Sequence, residues 1–194
     1  MYKSYAGIGS RKTPVELKRL INEISSFLEK QGWILRSGGA DGADIFFEEQ
    51  IKNKEIFLPC KGFNNNPSML YDISKDAYDL AKQFHPHWNK LNSFAKKLIA
   101  RNGHQVMGYN LKTPVHFIVC WTENGEIKGG TGQALRIAEH YNIPVCNLFF
   151  VKSFEKFKGT SIELESSSKG FMFSNSAFNF KYVSYLLFFK SFFN

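Results

Sequence analysis

The sequence predicts a three-layer α/β sandwich built on a five-stranded parallel sheet, followed by an irregular C-terminal extension. Three observations predict it. Residues 1–150 alternate short apolar runs with amphipathic stretches, the pattern of strands joined by crossover helices. Three glycine-bearing turns each follow an expected strand and precede an expected helix. The chain has 194 residues, 43% of them hydrophobic, which is enough for one α/β domain with a real core and too little for a second large one.

The elements follow in order. A first strand is expected at Lys3–Ile8. Thr13-Pro14-Val15-Glu16 then offers an N-cap, a proline at the first helical position and a capping-box glutamate. Leu17, Leu20, Ile21, Ile24 and Leu28 recur on one helical face, and Gly32 ends the helix. Trp33-Ile34-Leu35 begins a second strand that breaks at Ser37-Gly38-Gly39. A helix from Ala40 to Lys52 leads to a third strand at Glu55–Leu58, and the asparagine-rich segment Pro59–Pro67 is a loop. Two helices, Asp72–Phe84 and Lys90–Gln105, flank His85-Pro86-His87-Trp88. The run Val115–Trp121 is almost wholly apolar, so this strand is expected to be buried on both faces. The glycine-rich turn Gly125–Gly132 opens a last helix to Tyr141, and Ile143–Leu148 is the fifth strand.

Composition changes after residue 150. Residues 151–194 hold 10 of the 20 Phe and 9 Ser, with six Lys and three Glu. Two readings of this Phe/Ser-rich extension stand: a packed appendage, or a non-native segment such as translation in another frame. Neither gives it active-site chemistry. The domain division is therefore 1–150 and 151–194.

Net charge is +8, from 25 Lys and Arg against 17 Asp and Glu, and +5 of it lies in residues 1–150. A basic balance favours anionic partners such as nucleotides or nucleic acid, although solubility alone also accounts for it. No uncharged apolar run of about 18 residues is present, so no membrane partner is expected. The start MYKSYAGIGSRK lacks the apolar core of a secretory signal. Cys60, Cys120 and Cys146 are far apart and read as small hydrophobes of a reducing compartment. A cytoplasmic location is the expectation.

The candidate site is the set of three turns. They are Gly9-Ser10-Arg11, then Ser37-Gly38-Gly39 with Gly42 and Asp44, and finally Gly129-Gly130-Thr131-Gly132. In a parallel sheet all three fall at carboxyl strand ends, where open α/β sheets bind ligands. Glycine lets the backbone approach a bulky anion, and helix N-termini present unpaired N–H groups. Arg11 adds a bidentate phosphate contact, and Ser10, Ser37 and Thr131 add hydroxyls. Asp44 is either a partner of the helix dipole or a contact to ribose or base, or an acid/base group; Glu48 and Glu49 read as the former. Arg136 either reaches the rim or pairs with a surface acid. Arg101-Asn102-Gly103-His104-Gln105 either serves packing or places polar groups at an interface or cleft. His85 and His87 have no further ligands at a metal-site spacing, so no metal is expected. No G-x-S-x-G elbow, Walker loop or H-E-x-x-H motif occurs, so catalytic residues are unknown and no cofactor is called for.

With its strand–GSR, SGGADGAD and late GGTG turns, the sequence resembles the Rossmann-like SLOG superfamily. Within it, HPHWNKL, ARNGHQVMGYNL, FIVCWT and GGTGQALRIAEHYNIPVCNL are similar to single-domain DprA-like (DNA-processing A) proteins of the phage and bacterial type. The resemblance covers residues 3–148. It implies a nucleotide-type pocket over the strand ends and, in many members, assembly into homo-oligomers through helices. Members include DNA-binding recombination mediators, phosphoribohydrolases of the Lonely Guy group and sensors of nucleotide-derived signals. Lys128–Arg136 lacks the proline and glutamate of the phosphoribohydrolase P-G-G-x-G-T-x-x-E pattern. Three functions are therefore expected in this order: binding of a nucleotide or nucleotide-derived ligand, single-stranded DNA binding in recombination, and N-glycosidic hydrolysis or transfer.

Overall fold

Strands buried on both faces must sit inside a sheet, and the most apolar strand should lie near its centre. The computed structural model, which describes residues 2–150, places them so. Five strands, β1 (Ser4–Gly9), β2 (Ile34–Ser37), β3 (Lys54–Ile56), β4 (Ile118–Trp121) and β5 (Val145–Asn147), pair in parallel in the order β3-β2-β1-β4-β5. Every residue of β4 is buried. The 151–194 extension lies outside the described residues.

Five helices cover the sheet: α1 (Lys18–Lys30), α2 (Ala43–Glu48), α3 (Lys75–Phe84), α4 (Ser93–Met107) and α5 (Gly129–His140). Period-two alternation sends Tyr5, Leu35 and Val119 to one face, against Ile21, Phe27 and Leu28 of α1 and Phe47 of α2. Ala6, Ile8, Ile118 and Cys120 face the other way, onto Val106 of α4 and Leu135, Ile137 and Ala138 of α5. The fold is Rossmann-like, a three-layer sandwich with an all-parallel sheet.

Several boundaries shift for local reasons. The expected capping box does not form, because Thr13 Oγ1 donates to the Ser10 carbonyl at 2.6 Å instead of capping. The chain enters α1 through a 3-10 turn, Val15–Leu17. The helix expected over Ala40–Lys52 is only Ala43–Glu48, since Gly42 at φ 80° interrupts the approach. Helices α3 and α4 begin later than the apolar pattern suggests, at true caps: Ser74 accepts from Ala77 N–H and Asn92 from Ala95 N–H. The third strand leaves the sheet after Ile56, where Phe57 bridges to Leu70. Trp88 is half-buried against Ala81, Ile99 and Ala100, with Tyr78 edge-on at 6.3 Å.

The strand order reverses between β1 and β4. The crossovers from β1 run outward through β2 and β3, then return to the other side of β1, so the loops after β1 and β4 diverge and leave a crevice. Close packing behind it is tight: a Cβ on Gly7 would meet Phe47 Cγ at 2.6 Å, and Phe47 is fully buried. Phe47→Ala is expected to cost about 3–5 kcal/mol in chemical denaturation, with little change in the denaturant slope.

Candidate functional site

The crevice is a cleft of about 560 Å³ between the β1 and β4 loops, the start of α5 and one side of α4. A larger hollow of about 680 Å³ runs along α1 between Val15 and Lys30. That hollow lies on the solvent side of an amphipathic helix, away from the strand ends, and none of its lining residues shares the cleft's buried polar network.

At the cleft the three glycine turns do gather on one edge, but they have different duties. Gly9 N–H donates to Asp44 Oδ1 at 3.1 Å, and Ser10 N–H donates to the Trp121 carbonyl at 3.0 Å. Ala40 N–H reaches Asp44 Oδ2 at 3.5 Å, and Ala43 N–H reaches the Ser10 carbonyl at 3.4 Å. The first two turns thus spend these amides on each other, on Asp44 and on the end of β4. The third does not. In α5 the first main-chain bond is Gly132 N–H to the Lys128 carbonyl at 3.0 Å, and no side chain caps the helix. The N–H groups of Gly129, Gly130 and Thr131 precede it, and these three residues line the cleft. Open space surrounds Gly129, whose φ of 62° suits a residue without Cβ.

Gly9, Ser10, Arg11, Asp44, Gly129, Gly130 and Thr131 therefore line the cleft. Ser37, Gly38, Gly39, Gly42 and Gly132 stand behind it. Ser37 Oγ donates to the Gly7 carbonyl at 2.7 Å, inside the sheet. A Cβ on Gly42 would meet the Ser10 carbonyl and the Arg11 main chain, and one on Gly132 would meet the Ile127 main chain. These residues make room for the turns to pack. Arg136 reaches neither the rim nor an acid: its guanidinium donates to the Phe84 carbonyl at 2.8 Å and to Gln133 Oε1 at 3.0 Å.

The electrostatics centre on α4. Arg101 is 5% exposed and its Nη1 lies 3.6 Å from Asp44 Oδ2, an ion pair too long to be a hydrogen bond. Burial raises the Asp44 carboxyl, opposed by Arg101 and by the Gly9 and Ala40 amides. Burial lowers Arg101, opposed by Asp44. Glu48, one turn on from Asp44, is pushed up to about 7, by burial first and then by the Asp44 charge. Its Oε2 accepts from Asn66 Nδ2 at 3.0 Å. Asn102 Nδ2 donates to the Gly130 carbonyl at 2.7 Å and so ties α4 to the open end of α5. The rim is charged: Lys12 pairs with Glu123 at 3.1 Å and Lys128 with Glu126 at 2.5 Å, while Arg11 is exposed with no ion pair among the described residues.

No family model and no curated protein matches the chain. Among solved structures it is similar to DNA processing protein A from Helicobacter pylori, a structure described for its single-stranded DNA binding mode, at 18% identity and a TM-score of 0.49. The match covers 75% of this chain and 64% of that one, so the chain spans less than two thirds of the neighbour's length. Among the described residues no helix is long and apolar enough to cross a membrane, and no group of three or more His, Cys, Asp or Glu is placed to hold a metal ion.

The sequence leaves Arg101, Asn102 and Gln105 open between packing and an interface or cleft; all three line the cleft. Sequence reasoning missed Phe94, 46% exposed on the same side of α4, seven residues before Arg101. That spacing is the signal that was available: Phe94, Leu98, Arg101 and Gln105 recur at helical intervals of 4, 3 and 4.

Glu48 makes stability depend on pH. Its folded value of about 7 lies above the ordinary 4.5, so the unfolded chain loses its proton first. Folding stability is then greatest below about pH 4.5 as far as this group is concerned, falls as pH rises toward 7, and levels off above. Glu48→Gln is expected to remove most of that fall and to stabilise the protein at pH 8 by about 1–3 kcal/mol, measured by urea denaturation at pH 5 and 8.

Proposed function

We propose that the cleft binds a nucleotide or nucleotide-derived ligand through its phosphate. The observation that carries this is the uncapped start of α5, whose three leading residues line the cleft at the switch point of the sheet. Such a terminus presents partial positive charge and unpaired donors to an anion. The unpaired guanidinium of Arg11 stands on the opposite lip and closes on the phosphate from the β1 side. Ser10 and Thr131 hydroxyls lie on the same two lips. Asp44 serves the site by holding the β1 turn in place, not as a ligand contact.

A second reading has one observation of its own in favour. Phe94 is exposed at the mouth beside Phe63, ring centres 6.4 Å apart, and exposed aromatics next to basic groups are how single strands are held by stacking. Single-stranded DNA, which the DprA-like resemblance implies, then places one nucleotide unit in the cleft and continues along the rim. Cleavage at a glycosidic bond fits least well. Its expected acid, Asp44, is committed to two amides and Arg101, and Glu48 does not line the cleft.

Calorimetric titration with pyrophosphate and with ADP tests the main reading. Saturable binding of both is expected, weakened about tenfold in Arg11→Ala. No heat and no thermal stabilisation at millimolar ligand refutes it. For the second reading, fluorescence anisotropy of a labelled oligo-dT is expected to show affinity that falls steeply with salt and drops in Phe94→Ala. Salt-independent or absent binding refutes that one alone.

A further inference from the structure

An imidazole nitrogen that accepts a hydrogen bond carries no proton, so the bond at one nitrogen fixes the state of the other. His85, in the turn between α3 and α4, accepts the His87 N–H on Nδ1 at 3.2 Å. The proton of the neutral ring therefore sits on Nε2, which is a donor. That nitrogen has no hydrogen-bond partner among the described residues. His85 is half-buried and lines the cleft.

Two bonds bring it to the side of the cleft where α5 begins. Gln133 Nε2 donates to the Ala81 carbonyl at 3.0 Å, and Arg136 Nε donates to the Phe84 carbonyl at 2.8 Å. Arg136 folds back along α5 to do so: a Cβ on Gly132 would lie 3.4 Å from its Nη1. The last turn of α3 is thereby fastened to the first turns of α5, and His85 follows directly after it. Arg136 has no acid partner among the described residues, so it adds positive charge at the same place. Burial first, then Arg136 and His87, hold the His85 ring below its ordinary pKa of 6.5. Protonating Nδ1 would also break the bond to His87. At neutral pH the ring is an uncharged donor.

We infer that His85 is a further phosphate-binding residue, donating its Nε2–H to an oxygen of the phosphate that sits at the start of α5. This rests on the phosphate reading above. A phosphate has three terminal oxygens, so helix amides and a side-chain donor share it without competing.

The test is calorimetry on the full chain at pH 8 with pyrophosphate and ADP, in the parent protein, His85→Gln and His85→Asn. Glutamine carries an amide donor to the reach of Nε2, whereas asparagine reaches only as far as Nδ1. His85→Asn is expected to weaken both ligands about tenfold, and His85→Gln to stay within about threefold of the parent. A second measurement needs no variant to bind: the His85 Nε2–H signal in nitrogen-15 spectra of the parent, identified by its loss in His85→Gln, is expected to shift with pyrophosphate. Unchanged affinity in His85→Asn, equal losses in both variants, or a loss for ADP alone overturns the inference. So does a loss seen at about pH 5.5 but not at pH 8, which would mark a cationic role, or a ring signal that pyrophosphate leaves in place. If either variant fails to fold, the ring signal decides. If pyrophosphate binds the parent and these expectations fail, the phosphate reading stands and only the part of His85 falls. If pyrophosphate does not bind, both fall.

Discussion

The buried carboxylate of Asp44 is the interaction on which the site depends. It takes one amide from the turn after β1, one from the turn after β2, and faces the guanidinium of α4. Three chain segments distant in sequence are thereby held at one point. A carboxylate accepts such bonds more strongly than a neutral group would, which offsets part of the cost of burying it. Removing it would leave Arg101 as an uncompensated buried cation and two amides without an acceptor.

That knot also explains why the glycines cluster where they do. Gly9 lies so close to Ala43 and the Trp121 main chain that a Cβ would collide, and Gly42 packs on Ser10 and Arg11 in the same way. Gly38 leaves space for Arg101 and Gln105. These are packing requirements of the turns, and they bring the β1 and β2 loops together as a rigid lip. The α5 turn is built on another principle. Its amides have no acid to bind them and remain on offer, so the cleft has a closed side, where the β1 and β2 turns bond to one another, and an open, acceptor-seeking side.

Much of this was legible in the sequence. The five strands and their parallel pairing follow from apolar runs separated by amphipathic helices, and the burial of β4 follows from its unbroken apolar content. The three glycine turns were legible as a common edge because every strand-to-helix turn of a parallel sheet lies at that edge. What the pattern did not separate was a glycine needed for close packing from one that exposes its amide. Gly39 and Gly129 look alike in one dimension, yet Gly39 abuts Leu58 and Gly129 faces open space. Helix starts were misjudged for a related reason: whether Thr13, Ser74 or Asn92 caps a helix depends on where its hydroxyl or amide finds a partner.

The linear order of residues determined the layers, the strand count and the edge at which a ligand would sit, because these depend on periodicities of two and 3.6 and on turns that only glycine tolerates. The tertiary structure alone decided which groups face the cleft. Asp44 and Arg101 are 57 positions apart and belong to different crossovers, and no local pattern couples them. Their pairing exists because the sheet brings α2 and α4 to the same strand ends, where a charge pair survives burial only if each finds the other.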